Sequence, residues 1–170
     1  MRRFLLLLLA LCLTLPAAAW AFRGMPGDGT LVVDNGRGVV IVRARGGIIG
    51  RFDSGRLIVE DPIEGDGGGP IVYGAERIRE LGGRRTLYIG EDVRFRMIGG
   101  LYRVQIQAVG IDVSAVGRGT ATLDASGFSD QPGRFSINGG PFQPMPGVPT
   151  RYALGQPVPG VPGIPGTLGK

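Results

Sequence analysis

The sequence contains no histidine. A Ser-His-Asp triad, a Cys-His dyad and the ordinary histidine-ligated zinc sites are therefore excluded. Cysteine is nearly absent too, and the one present, Cys12, lies in an N-terminal apolar run. Trp20 is the only tryptophan, and Lys170, the last residue, is the only lysine. Lys170 ends a Pro/Gly-rich stretch, which is a poor setting for a Ser-Lys dyad. No amphipathic run of helical length is present; only residues 75–81 suggest a helical turn, and Gly82-Gly83 would stop it.

What is present first is an export signal. Met1-Arg2-Arg3 is a short positive region, residues 4–15 are uncharged and dominated by leucine, and Pro16 is followed by Ala17-Ala18-Ala19-Trp20-Ala21. This order matches a secretory signal peptide. A membrane span would need about 20 apolar residues, more than this run supplies. Small residues at Ala19 and Ala21 place the cleavage after Ala21, with a cut after Ala19 as the alternative. Cleavage removes the only cysteine and the only tryptophan. The mature chain then has no disulfide and no thiolate. With Arg2 and Arg3 gone, 17 basic residues against 14 acidic ones leave +3 in place of +5. That mild excess gives no sign of a nucleic-acid partner, and no transmembrane span is expected in the mature chain. The expected location is extracytoplasmic, either periplasmic or at the cell surface.

The rest divides into a lead-in over residues 22–29, a folded part over 30–140 and a tail over 141–170. Pro and Gly make up nearly half of the tail, and the expectation is an extended, disordered segment. The folded part reads as β throughout. Short apolar runs bounded by glycine recur about every nine residues, for example at 39–42, 48–52, 57–59, 93–97 and 101–108. The expected fold class is all-β, an antiparallel β-sandwich-like domain, with a β-solenoid as the alternative. Gly36-Arg37-Gly38 and Gly117-Arg118-Gly119 open no helix. They read as tight turns, not phosphate loops.

Gly99-Gly100 lies between two alternating runs and predicts a two-residue hairpin. Its register would place Met97 opposite Tyr102 and Arg96 opposite Arg103. One face would carry Val93, Phe95, Met97, Tyr102, Val104 and Ile106. The other would carry Arg94, Arg96, Arg103 and Gln105. Like charges directly opposite are unfavourable unless an anion or carboxylate intervenes. Arg94, Arg96 and Arg103 are therefore the candidate anion patch, for an anionic envelope polymer or another envelope protein.

A faint internal repeat is also visible at a near-constant spacing. Val40-Ile-Val-Arg-Ala-Arg-Gly46 and later Gly55-Arg-Leu-Ile-Val-Glu-Asp61 are echoed by Val104-Gln-Ile-Gln-Ala-Val-Gly110 and Gly119-Thr-Ala-Thr-Leu-Asp124. The run Gly110-Ile-Asp-Val-Ser-Ala-Val-Gly-Arg-Gly-Thr-Ala-Thr-Leu-Asp124, with Phe135-Ser-Ile-Asn-Gly-Gly-Pro-Phe142 and then residues 144–146, resembles uncharacterised exported glycine-rich β proteins of GC-rich bacteria. More distantly, the glycine-bounded strands resemble β-solenoid head domains of surface adhesins. The resemblance implies export and a β fold, and brings no activity and no site residues.

Fourteen carboxylates remain, and a carboxylate pair can run glycoside hydrolysis without histidine. No spacing singles out such a pair, so no catalytic residue and no cofactor are assigned. The densest acidic stretch, Glu60-Asp61-Pro-Ile-Glu64-Gly-Asp66 to Gly69, fits a Ca²⁺ loop only by composition, and the plainer reading is a solvated loop. The expected function is that of a non-catalytic structural or interaction protein of the cell envelope. A Ca²⁺- or glycan-binding module and a carboxylate-dependent hydrolase are the alternatives.

Overall fold

The computed structural model describes residues 27–155. The expected signal peptide at 1–21, most of the expected lead-in and residues 156–170 lie outside them. The described chain is all-β. Its strands are β1 (Gly29–Glu60), β2 (Ile71–Gly82), β3 (Arg85–Met97), β4 (Leu101–Asp124), β5 (Arg134–Ile137), β6 (Gln143–Pro144) and β7 (Thr150–Leu154). They form one antiparallel sheet in the order β2-β3-β1-β4-β7, with β5 on β1 and β6 on β5. Residues 75–81, where composition allows a helical turn, belong to β2. Their Ala75, Arg77, Ile78 and Arg79 pair with β3.

β1 has 32 residues, and a straight strand of that length would run ~100 Å at about 3.3 Å per residue. It does not run straight. Residues 29–45 of β1 pair with 101–117 of β4, and residues 39–60 pair with 103–124 in a second register. Residues 39–45 thus have β4 on both sides, and the sheet folds over on itself. The bends fall at glycines. A Cβ on Gly38 (φ +112°) would lie 2.2 Å from the Asp124 carbonyl oxygen. One on Gly46 would lie 2.1 Å from that of Val116. Only a residue without a side chain lets the two backbones approach so closely. Gly36-Arg-Gly38 and Gly117-Arg-Gly119 are therefore corners inside continuous strands, not the tight turns that glycine content alone suggests.

The bends divide the sheet into two halves. The first holds residues 29–37 and 46–54 of β1, 109–117 of β4, 91–97 of β3 and β5. The second holds 38–45 and 55–60 of β1, 101–108 and 118–124 of β4, 85–90 of β3 and β7. One apolar cluster contains the inward side chains of both, among them Leu31, Phe52 and Phe95 from the first and Val42, Leu57 and Ile106 from the second. Alternation explains the selection, since every second residue of a strand points to the same face.

The repeat is reproduced in three dimensions. Val40, Val42 and Ala44 occupy buried positions matched by Val104, Ile106 and Ala108, and Leu57 and Val59 are matched by Ala121 and Leu123. The two copies, 39–60 and 103–124, pair antiparallel with each other. Two copies of one unit about a local twofold would pair in this way.

The hairpin at Gly99-Gly100 does not form as expected. Met97 pairs with Ile48, and Leu101 pairs with Arg45, so β1 runs between β3 and β4. Gly99 and Gly100 do adopt positive φ (69° and 76°). They carry the chain across the β1 corner, where the Gly46 amide donates to the Gly100 carbonyl at 3.0 Å. The predicted faces survive: Val93, Phe95, Met97, Tyr102, Val104 and Ile106 are all buried. Alternation fixes which way a side chain points; it does not choose the neighbouring strand.

The tail expectation is corrected over residues 141–155. Residues 119–123 of β4 pair with 150–154 of β7. Met145 and Leu154 are buried, and the Tyr152 and Phe135 rings meet at 5.1 Å. Proline is tolerated here because β6 is a two-residue strand paired only with β5.

Tyr102 links the core to the acidic loop, its hydroxyl accepting the Gly69 amide at 3.1 Å. Burial, reinforced by Asp61, pushes its phenol above the usual tyrosine range. A raised folded-state pKa keeps the proton on the folded form when the unfolded chain has already released it. Stability is therefore retained below about pH 10 and falls as pH rises beyond it. Burial raises Tyr88 and Tyr152 in the same direction, so urea titrations across this range are expected to show that fall, and Tyr102→Phe to reduce it. An equal alkaline loss in the variant would refute the assignment.

Candidate functional site

The three arginines expected to form one patch are divided between the two halves. Arg94 and Arg96 project from the outer face of the first half, in β3. Arg103 projects from the outer face of the second, in β4. The reason is the insertion of β1: Arg96 pairs with Ile49, and Arg103 pairs with Arg43 and Glu60.

On the first half, register and alternation place two rows of side chains across the strands. One row is Val32, Ser114, Ile49 and Arg96. The other is Arg134, Asp34, Asp112, Arg51 and Arg94, with Tyr73 beyond it on β2. The second row is largely neutralised within itself. Arg134 pairs with Asp34 at 2.5 Å and Arg51 with Asp112 at 2.8 Å. The Asp112 hydrogen bond and charge raise the Arg51 pKa further, so Arg51 stays charged. Arg94 stands opposite Arg51. Among the described residues neither Arg94 nor Arg96 has an ion-pair partner.

These rows, Arg134 apart, form the floor of an open groove of about 720 Å³. Tyr73 and Phe142 rise at its two ends, 65% and 51% exposed, and Ile49 in the floor is 47% exposed. Phe142 is held by the Arg134 guanidinium, 5.1 Å from its ring centroid, and Arg134 is in turn fixed by Asp34. Residues 31–34, 48–51 and 109–117 in the floor have strands on both sides, so their ladder groups are spent and side chains define the surface.

On the second half, Arg43 lies directly opposite Arg103 on one side and Thr120 on the other. Arg151, on β7, donates to the Thr120 hydroxyl at 3.4 Å. The carboxylate nearest Arg103 is Glu60, at 3.8 Å. Arg43 has no ion-pair partner among the described residues. The juxtaposition of like charges read from the sequence thus exists, with Arg43 in place of Arg96. Arg43 is legible as an outward residue because Val42 and Ala44 flank it inward. Its opposition to Arg103 depends on a pairing between segments far apart in the chain. Nothing in the sequence marks Tyr73, Phe142 and Ile49 as neighbours.

The acidic loop turns Glu64 and Asp66 to protein partners, while one buried oxygen of Asp61 has none. Asp66 accepts from the Leu101 amide at 3.1 Å and pairs with Arg45 at 3.0 Å. Glu64 pairs with Arg84 at 2.5 Å. No group of three or more potential metal ligands occurs among the described residues. No helix there is long and apolar enough to cross a membrane.

The chain matches no protein-family model, no curated protein and no solved structure.

Proposed function

We propose that the chain is exported by its N-terminal signal, cut after Ala21, and acts outside the cytoplasm as a non-catalytic interaction module of the cell envelope. Its partner on this reading is an anionic envelope polymer, held by the arginine face of the second half of the sheet. One observation carries the reading: Arg43 stands opposite Arg103, with Arg151 beside them on Thr120 and only Glu60, at 3.8 Å, on the other side. Like charges directly across a strand pair cost energy on an empty face, and an anion between them reverses that sign. An exposed ion pair contributes only about 0.2–1 kcal/mol. The face therefore suits a repeating anion that engages several arginines at once. Glycine-rich strands and the resemblance to exported β proteins agree with this setting. The folded sheet is read as a sandwich rather than a solenoid because every pairing is antiparallel.

The test is co-sedimentation with envelope fragments of the producing cells. Wild-type protein should sediment at low salt and be released at high salt, since exposed charges are screened beyond a Debye length of about 8–10 Å. Arg43→Gln with Arg103→Gln and Arg151→Gln should abolish most low-salt retention. Equal retention of the triple variant would overturn the proposal. Mass spectrometry of the mature N-terminus, expected at Phe22, tests the export step separately.

A further inference from the structure

The groove on the opposite half of the sheet has a different chemistry, and we infer that it binds a single-chain amphiphile, a long-chain carboxylate, with its head at Arg94 and Arg96 and its tail toward Phe142. Four features of the groove support this assignment.

The first is the segregation of charge and apolar surface. Row by row, Arg134 is cancelled by Asp34 and Arg51 by Asp112. The arginines of the floor without an ion-pair partner among the described residues, Arg94 and Arg96, sit at one end. From there toward Phe142 the first row is Ile49, Ser114 and Val32, apolar but for one hydroxyl. A polyanion would meet charge only at its edge. An amphiphile meets unpaired charge at its head and, along its length, the apolar row beside a row of closed ion pairs.

The second feature excludes a peptide. A peptide docked on a sheet gains most from free backbone groups at an edge. At Val32 and Ile49 the floor strands are flanked on both sides, so a peptide's own amides and carbonyls would lie unpaired over them and lose their hydration without a partner. A hydrocarbon chain has no such groups to satisfy.

The third feature is dimension. At about 4.8 Å between neighbouring strands, the row from Val32 to Arg96 crosses four strands and spans ~15 Å before the Phe142 wall is added. The groove volume of about 720 Å³ lies within the ~300–1,000 Å³ typical of small-molecule sites. The fourth is exposed apolar surface. Tyr73, Phe142 and Ile49 are large, exposed and gathered on one concavity. Scattered apolar residues need no partner, but a contiguous patch with a polar rim marks a binding surface.

The site is independent of the arginine face proposed above, so the two can fail separately. The experiment is titration of the delipidated mature protein with hexadecanoate below its micellar concentration, followed by calorimetry. Saturable binding of one molecule per chain is expected. Hexadecanol, which keeps the chain and lacks the charge, should bind at least about tenfold more weakly. Arg94→Gln with Arg96→Gln should produce the same loss, because a charge-assisted contact is worth about 1.5–3 kcal/mol and about 1.4 kcal/mol is tenfold. Ile49→Asp should abolish binding without unfolding the domain, since its side chain is outward. Arg43→Gln with Arg103→Gln should leave hexadecanoate binding unchanged. No saturable binding, or equal binding of hexadecanol, overturns the inference. So does binding to phosphatidylglycerol vesicles but not to monomeric hexadecanoate, which would make the groove a membrane contact.

Discussion

Gly38→Ala is expected to destabilise the domain by about 2–5 kcal/mol, whereas Gly65→Ala should cost only about 1–2 kcal/mol. Both glycines have positive φ, +112° and +76°, so both substitutions carry a conformational penalty of roughly 1–2 kcal/mol. They differ in what the new methyl group meets. At Gly65 nothing lies within 4 Å; at Gly38 the Asp124 carbonyl oxygen lies at 2.2 Å and the Ala125 Cα at 3.0 Å. That oxygen is backbone and cannot rotate away. Gly38 is also where β1 gains its second β4 neighbour, because the pairing of Val39 with Asp124 begins at the next position. Relieving the clash means displacing the end of β4 and the corner of β1 together. Overpacking of this kind adds about 1–3 kcal/mol to the φ penalty. Urea unfolding of both variants measures the difference. Equal effects would show that conformation alone, and not the close approach of the two strands, requires glycine at residue 38.

Leu154→Ala should cost about 3 kcal/mol and lower the melting temperature by roughly 10 °C. Leu154 is 2% exposed and closes the β7 ladder opposite Gly119. Removing its side chain leaves a void at the end of the core. On the same side of β7, Tyr152 keeps the strand against Phe135 through the 5.1 Å ring contact. A residue in an unstructured tail would show no such sensitivity, since surface substitutions usually stay within ~0.5 kcal/mol. Unchanged unfolding in the variant would remove β7 from the cooperative unit and return the fold's boundary to residue 140.

The difference between expectation and structure around Pro141 has a simple physical source. Composition averages over a window, and Pro/Gly content is high from residue 141 to the end. Within that window, Thr150–Leu154 alternates, with the inward Tyr152 and Leu154 separated by an outward Ala153. So short an alternation cannot outweigh its flanks in a composition argument. It becomes a strand because the outer edge of β4 offers Thr120 to Leu123 as partners. The arginine patch is not a single site for a related reason. Arg94, Arg96 and Arg103 do lie on the outward face that alternation assigns them. Grouping them requires a hairpin that β1 interrupts.

By itself the sequence determined the absence of histidine, the β class and the inward or outward direction of most strand residues. Those properties depend on residue type and on the period of two along a strand, which are local. It also carried the repeat, because matching apolar positions recur in the two copies. Tertiary structure alone decided which strands are neighbours, hence that Arg43 faces Arg103 and that Tyr73, Ile49 and Phe142 share one groove. Strand pairing is a long-range choice made by backbone close approach at glycines such as Gly38 and Gly46, and a period of two is the same for every possible partner.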